Sequence, residues 1–329
     1  MQVDGTNLRM LQYNLFLRPY PIENPGLGDF KDLRHLIFIN KVLIPKTYDV
    51  IFLQEVWDGP QISNHIYNHR KRRIIKSAID NGYHVCGHGP DSRVWRGKLI
   101  DGGCLILSKF PPIAMNKHIF NATCNVDALA SKGVIHALLK ISDNHNVDVF
   151  CTHLQSSYKY VSSEKTRKIQ QLQLEELHNF VVDCVNDRSI AIIAGDFNID
   201  SIQNDITREY DNMIDMMKGL YFDEVRDLLV ESLNKHPETT VGYKWNKKTG
   251  KEIVDCTYLI DNMSYNPAKE FVRGCRLDYV LVLETWEADE KLYNNNTRVE
   301  KFYMSDLRES NDIDFLSDHF GIVSEIVIF

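Results

Sequence analysis

Ser189 to Asp200, Ser-Ile-Ala-Ile-Ile-Ala-Gly-Asp-Phe-Asn-Ile-Asp, constrains this chain more than any other stretch. Ile190 to Ala194 is an unbroken apolar run, the mark of a strand covered on both faces. Gly195 ends the run, and Asp196 and Asn198 follow at i and i+2, positions that share a side on an extended backbone. Asp and Asn also favour strand ends because they bond their own backbone in turns. Taken alone, the stretch is as much a turn as a site. Its weight comes from repetition, because four other strands in the sequence end in the same way.

The 329 residues, 43% hydrophobic, are ample for a large core. No linker, low-complexity tract or internal repeat divides the chain, so residues 1–329 are expected to form a single catalytic domain. A net charge of −7 removes the global basic footprint that binds nucleic-acid backbone unaided. The 7 cysteines show no CxxC pair and no metal-finger spacing, and Cys256 and Cys275 are spaced so that a bridge is allowed. No apolar run reaches membrane-spanning length, and no signal peptide follows Met1. A secreted or extracytoplasmic protein whose leader has been removed is the favoured expectation, with the cytoplasm as the alternative. Sequons at Asn121, Asn262 and Asn295 do not decide between them.

In chain order, Leu8–Asn14 reads as a strand ending in an amide. Asp29–Leu43 reads as a helix, with Asp29 as a cap. Asp49–Glu55 is an apolar run closed by a carboxylate, which is costly unless solvated, paired or bound to a cation. Gln61–Ile79 reads as a helix whose Arg70-Lys71-Arg72-Arg73 run fits a solvated face better than a phosphate site. Residues 102–108, 113–119 and 133–141 read as strands, and Val147–His153 as a strand ending in an imidazole. Glu164–Asp187 is the clearest helix, with an apolar stripe from Ile169 through Leu172, Leu177, Phe180, Val181 and Cys184. Two shorter helices are expected over 203–219 and 222–232. Leu277–Leu283 is a strand with Asp278 near its start, and Ser317-Asp318-His319 leads into a last strand, Ile322–Phe329. The pattern argues for sheets covered by helices: two sheets face to face, or else one doubly wound sheet.

Asn14, Glu55, His153, Asp196, Asn198, Asp278, Asp318 and His319 together offer hard oxygen ligands suited to Mg²⁺ and two imidazoles suited to water activation. No nucleophile elbow, P-loop, HExxH or GxGxxG is present. Metal-assisted hydrolysis by activated water is the reaction class these residues support.

Tyr13-Asn14, Leu53-Gln54-Glu55, Gly103 to Pro111, Thr152-His153-Leu154, Gly195-Asp196-Phe197-Asn198, Leu277-Asp278-Tyr279 and Ser317-Asp318-His319 occur in the order of the endonuclease/exonuclease/phosphatase superfamily, founded on deoxyribonuclease I. The resemblance spans residues 8 to 328 and implies an α/β fold, a four-layer α/β/β/α sandwich of two mixed sheets flanked by helices. Within it, Thr152 to Tyr158 resembles the His-Leu-Gln motif of neutral sphingomyelinases, and Asp127 to Gly133 resembles that branch's Asp-to-Lys-Gly segment. The inositol polyphosphate 5-phosphatase pattern fits less well, because Ala194 stands where that branch carries Trp and Gly274 to Asp278 lacks its Cys-Asp-Arg.

The neutral sphingomyelinase resemblance implies a Mg²⁺-dependent phosphodiesterase, with Mn²⁺ or Co²⁺ as substitutes and a second metal allowed. Such an enzyme cleaves sphingomyelin to ceramide and phosphocholine. Glu55 is then the principal metal ligand with Asn14 beside it, and Asp318 a ligand or bridge to a second metal. His319 is the general base, with Asp278 on its other ring nitrogen. Asp196 and Asn198 orient water and a phosphoryl oxygen, which His153 also bonds. Lys132 either faces the leaving alkoxide or pairs with Asp127; without the resemblance it reads as a surface lysine.

The expected partner is sphingomyelin or a related choline phospholipid, met by a monomer at a membrane surface. No nucleic-acid partner is expected. The family's bacterial members are understood to touch the bilayer with aromatics on an exposed hairpin. Here Val241 to Lys251 carries Tyr243 and Trp245 beside lysines, and Thr285 to Tyr303 carries Trp286, Tyr293, Phe302 and Tyr303. Two rival readings are a nuclease of the same fold and a catalytically silent lipid- or protein-binding module.

Overall fold

The computed structural model describes residues 5–18, 31–57, 69–92, 97–143, 145–157, 161–185, 190–240, 243–246, 251–254, 274–285, 292–303 and 315–329. One mixed sheet is built from β1 (Thr6–Leu17), β2 (Val50–Val56), β3 (His84–Gly89), β4 (Cys104–Ser108), β13 (Leu292–Glu300) and β14 (Gly321–Ile328), in the order β13-β14-β1-β2-β4-β3. The second is built from β5 (Pro112–Ile119), β6 (Gly133–Lys140), β7 (Asn146–His153), β8 (Ala191–Asp196), β9 (Glu224–Asp227) and β12 (Asp278–Glu284), in the order β5-β6-β7-β8-β12-β9. Each sheet has one parallel pair, β1 with β2 and β7 with β8. The neighbours of those pairs run antiparallel.

Alternation along the strands explains the layers. Leu8 and Met10, Val50 and Phe52, Val147, Val149 and Cys151, Ile192 and Ala194, and Val280 and Val282 share one core between the sheets. The opposite parity of the first sheet, including Leu11, Tyr13, Ile51 and Leu53, packs with Phe38 of α1 (Lys31–Phe38) and Ile74 of α2 (His69–Asp80). The opposite parity of the second, including Phe150, Ile193 and Leu281, packs with α3 (Ser163–Cys184) and α5 (Glu209–Lys218). Burying one such aliphatic or aromatic side chain stabilises by roughly 1.5–3 kcal/mol. The α/β/β/α order follows, and the doubly wound alternative is excluded.

The structure differs from the sequence reading in several places. Over 222–232 the chain forms an edge strand, β9, and then α6 (Leu228–Leu233), because Asp227 caps the helix mid-run through Leu229 N and Val230 N. A short helix α4 (Asn204–Thr207) precedes α5. Helix α1 passes into a π-helical turn over Ile39–Leu43. The basic run on α2 is only partly solvated: Lys71 is buried against Asp101, and Arg70 pairs with Asp32 on α1. On α3, Leu172 is exposed while Gln170 and Gln173 are buried, for reasons that lie at the strand ends. Strands β3 and β13 lack a clean alternation and had no counterpart in the sequence reading.

Gly195 sits on β8 opposite Thr152 of β7, and a Cβ placed there would lie 2.3 Å from the Thr152 carbonyl oxygen. Both atoms belong to paired backbone, so neither yields cheaply. Gly195→Ala is expected to cost about 1–3 kcal/mol, the range for overpacking a tight core. Urea denaturation measures it, and an unchanged midpoint would show that β7 and β8 separate freely.

Candidate active site

The register carries the polar residues to one place. His153 of β7 pairs with Asp196 of β8, and Asp196 pairs with Asp278 of β12, so three adjacent strands present them in a row. All three have the parity of the inter-sheet core. From the facing sheet, Gln12 and Asn14 continue the inward parity of Leu8 and Met10. The ends of both parallel pairs, the start of β12 and the segment before β14 therefore meet at one rim of the sandwich.

Two strand ends turn by the same device. Asp196 Oδ1 accepts from Asn198 N at 2.9 Å, and Asn14 Oδ1 accepts from Phe16 N at 3.0 Å. These are Asx turns, and Asn198 and Phe16 take φ values of 55° and 50°. The turn reading of Asp196 and Asn198 is therefore correct, yet the second atom of each turning side chain, Asp196 Oδ2 and Asn14 Nδ2, faces the site. Asn14 Nδ2 lies 3.0 Å from Asp196 Oδ2, 3.1 Å from Glu55 Oε1 and 3.5 Å from His319 Nε2. Asn198 does not share a face with Asp196 as an extended backbone would require, and its carboxamide donates to the Leu154 carbonyl at 3.2 Å.

Glu55 has the wrong parity for the inter-sheet face. Its φ of 56° redirects the chain and delivers the carboxylate to the rim. A bulky residue there is strained by about 1–3 kcal/mol, a cost that persists only where surrounding structure imposes it. Glu55, His153 and Asp196 bring one ligand atom each within 4.8 Å of one another, as do Asp196, Asp278 and His319.

His319 Nδ1 lies 2.9 Å from Asp278 Oδ2. Asp278 also accepts from Thr239 Oγ1 at 2.7 Å and from Gln12 Nε2 at 2.9 Å. The other ring nitrogen, Nε2, points at Asp196 Oδ2, 3.7 Å away, with Asp318 Oδ1 at 4.0 Å. Burial opposes charge on this imidazole, but Asp278, Asp196 and Asp318 outweigh it and hold its pKa well above the ordinary histidine value. Burial pushes the Asp196 carboxyl up to about 7, against the pull of His319. Asp318 is also raised by burial, opposed by His319 and reinforced by Glu55. His153 is held well below the ordinary value by burial and then by Lys132 and His319, so it is neutral.

Lys132 is not a surface lysine; it is 1% exposed. Its ammonium lies 3.0 Å from Asp127 Oδ2, and it donates to His153 Nε2 at 3.1 Å, the Leu154 carbonyl at 2.8 Å and Ser156 Oγ at 3.0 Å. Of the two arrangements foreseen for it, this is the Asp127 pair. Asp127 in turn accepts from Gln155 Nε2 and Ser156 N, both at 2.9 Å. The buried glutamines of α3 serve the same loop: Gln170 donates to the Gln155 and Asn198 carbonyls, and Gln173 accepts from Gln155 N.

Gln12, Thr239, Gln170, Gln173 and Trp57 escaped the sequence reading. Gln12 carried a signal, since it lies two before Asn14 and shares its face. Thr239 carried none, because its contact with Asp278 crosses 39 residues. Among the membrane candidates, Phe302 is buried against Tyr13 and Tyr303 packs on Phe315, so both belong to the sandwich. Tyr293 is exposed beside Phe329. Trp286 lies outside the described residues, as do Asn262 and the Cys256 half of the allowed bridge. Tyr243 and Trp245 lie on β10 (Tyr243–Asn246), which among the described residues pairs with β11 (Lys251–Val254) alone in a two-stranded sheet; their side chains are outside the described residues.

The donor set suits a hard divalent cation. Its oxygens are those of the Glu55, Asp196 and Asp278 carboxylates, and among the described residues Glu55 has only the Asn14 amide as a hydrogen-bond partner and no ion pair. A carboxylate held in a strained conformation at a rim with several others is the arrangement that a cation would relieve.

A sphingomyelinase of Dictyostelium discoideum is 28% identical over 71% of this chain and 57% of its own length, so the matched part spans little more than half of that protein. A phospholipase C of Staphylococcus aureus is 26% identical over 82% of this chain and 78% of its own. Beta toxin from Staphylococcus aureus superposes with a TM-score of 0.65 at 20% identity, covering 96% of this chain and 99% of that one. A mutant of that toxin, with a TM-score of 0.61 at 19% identity over 97% and 99% of the chains, was solved with bound magnesium ions. The model of the Endonuclease/Exonuclease/phosphatase family matches residues 11–319, and the chain belongs to that family as an enzyme of its fold.

Proposed function

We propose that the protein is a Mg²⁺-dependent phosphodiesterase that hydrolyses sphingomyelin, in the phospholipase C sense, to ceramide and phosphocholine. The observation that carries the reaction class is His319, oriented through Nδ1 by Asp278 and facing the Asp196–Asn14 cluster through Nε2. Similarity to proteins named sphingomyelinase and phospholipase C supports the substrate.

In this reading His319 Nε2 takes a proton from water as its oxygen bonds to phosphorus. The bond from phosphorus to the ceramide oxygen breaks, that oxygen takes a proton from solvent water, and His319 later returns the proton it holds to solvent. Asp278 fixes the ring and balances the imidazolium that forms. Asp196 and Asn198 orient the attacking water and a phosphoryl oxygen. His153, kept neutral, is matched to a hydrogen bond with the phosphoryl group, and Lys132 supplies positive charge behind it. Glu55 and Asn14, with Asp318 toward a second position, would hold the cation. When bound, Mg²⁺ supplies charge stabilisation for a dissociative phosphoryl centre and offsets the carboxylate field that holds His319 protonated.

Hydrolysis of sphingomyelin in vesicles is expected to vanish in EDTA and return with Mg²⁺, with duplex DNA left uncut under both conditions. Full turnover after exhaustive demetallation would remove the cation from the mechanism, and DNA cleavage would turn the reading to a nuclease.

His319→Ala is expected to keep the fold and lower kcat by at least about a hundredfold, the usual scale for losing a general base. Near-normal turnover would require another base.

The β10–β11 hairpin is our candidate for peripheral contact with the bilayer. Trp and Tyr suit the headgroup layer, and each nearby lysine adds on the order of 1 kcal/mol at an anionic surface. Trp245→Ala is expected to weaken binding to sphingomyelin vesicles and to spare hydrolysis of a soluble choline phosphodiester. Equal loss on both would move the membrane contact elsewhere.

A further inference from the structure

Trp57 lies two residues after Glu55, at the mouth of the site and partly exposed. Its indole rests on Gly103: a Cβ at Gly103 would come within 2.9 Å of two of its ring carbons. Gly103 is itself fixed. Its φ of 70° is one that glycine alone adopts readily. Its carbonyl accepts from Val56 N at 2.9 Å, its N–H donates to Asp101 Oδ1 at 3.2 Å, and Asp101 is held by buried Lys71. One face of the indole is thus seated on backbone that cannot move away. The ring centroid lies 6.0 Å from that of His153, the neutral histidine assigned above to the phosphoryl group. A buried core aromatic would make these contacts with no surface to spare, whereas Trp57 stays partly exposed beside His153.

We propose that Trp57 is a specificity-determining residue, a rigid π-platform for the quaternary ammonium of a choline phosphodiester. The proposal rests on the phosphodiesterase reading above. In phosphocholine a short ethylene linker joins the phosphate to the nitrogen, so a phosphoryl group at His153 brings the trimethylammonium to the neighbouring ring. Trp is the strongest of the aromatic side chains toward such cations, and a methylated ammonium loses less hydration on contact than a primary one. Because the platform is pre-seated, little side-chain freedom is lost on binding. The same surface offers a primary ammonium a weaker contact, so the site discriminates choline from ethanolamine.

The test uses the Mg²⁺-loaded protein with Trp57→Ala and Trp57→Phe. Direct calorimetric binding of phosphocholine and phosphoethanolamine is one arm. Steady-state hydrolysis of p-nitrophenyl phosphocholine against bis(p-nitrophenyl) phosphate is the other. The expected result is preferential binding of phosphocholine by the wild type. In Trp57→Ala that preference falls by about tenfold, the scale of a well-seated cation–π contact. KM for the choline substrate rises with kcat little changed, and Trp57→Phe restores part of the preference. The proposal is overturned if the wild type does not distinguish the two headgroups, or if Trp57→Ala lowers kcat/KM equally on both chromogenic substrates. The two readings fail separately. Trp57-dependent phosphocholine binding without sphingomyelin hydrolysis sustains the platform and removes the proposed function; hydrolysis with a Trp57-independent headgroup preference does the reverse.

Discussion

A carboxylate between two sheets has to be met by donors, and Asp278 is the point at which this requirement organises the rim. It is 0% exposed and lies at the start of β12. Left unpaired, it would cost several kcal/mol. Its donors come from three distant parts of the chain: Gln12 on β1, Thr239 ahead of the hairpin, and His319 before β14. Thr239 Oγ1 also accepts from the backbone N–H groups of Leu277 and Asp278, and the Thr239 carbonyl accepts from Phe320 N at 2.7 Å. Satisfying one buried charge therefore also fixes which way the His319 ring faces, and stability and chemistry share these contacts.

The same economy holds at the strand ends. Asn14 and Asp196 each spend one side-chain atom on turning the backbone and keep the other for the rim. Ser317 does likewise, accepting from His319 N at 3.2 Å while donating to the Asn14 carbonyl at 2.6 Å. Arg34 of α1 closes this corner by donating to the carbonyls of Leu15, Phe16 and Leu316. The side chains at the site are thus held by local turns locked together through backbone carbonyls, which suits a cluster that must keep its spacing while carrying excess negative charge.

What was legible in the sequence follows from parity. Val147, Val149, Cys151 and His153 form one inward row, as do Ile192, Ala194 and Asp196, so a polar residue ending an apolar row is aimed into the rim by strand geometry alone. Seven such motifs in order made the family resemblance possible, and the four-layer fold agrees with it. Glu55 breaks the rule, since its parity points outward and only its φ of 56° brings it in; no pattern of residue types encodes that. Thr239, Gln170 and Gln173 were invisible for a different reason. Their roles depend on contacts across long sequence separations, and a polar residue inside a helix pattern reads as solvent-facing. β9 and β13 were misread or missed because edge strands are covered on one side only and need no full apolar row.

Lys132 shows how a position with an ordinary sequence context acquires an unusual one. Gly133 lets β5 approach, since a Cβ there would lie 2.0 Å from the His118 carbonyl oxygen. The close pairing fixes the start of β6 and turns the preceding lysine inward, beneath His153. An ammonium so deeply buried is tolerable only with its protons and charge matched, and Asp127, Ser156 and the Leu154 carbonyl match them. The consequence reaches the histidine. A cation on Nε2 disfavours a second positive charge on the same ring, so His153 stays neutral where His319, ringed by carboxylates, does not. Two imidazoles of the same intrinsic basicity are driven apart by neighbours of opposite sign, and that separation lets one handle protons while the other does not.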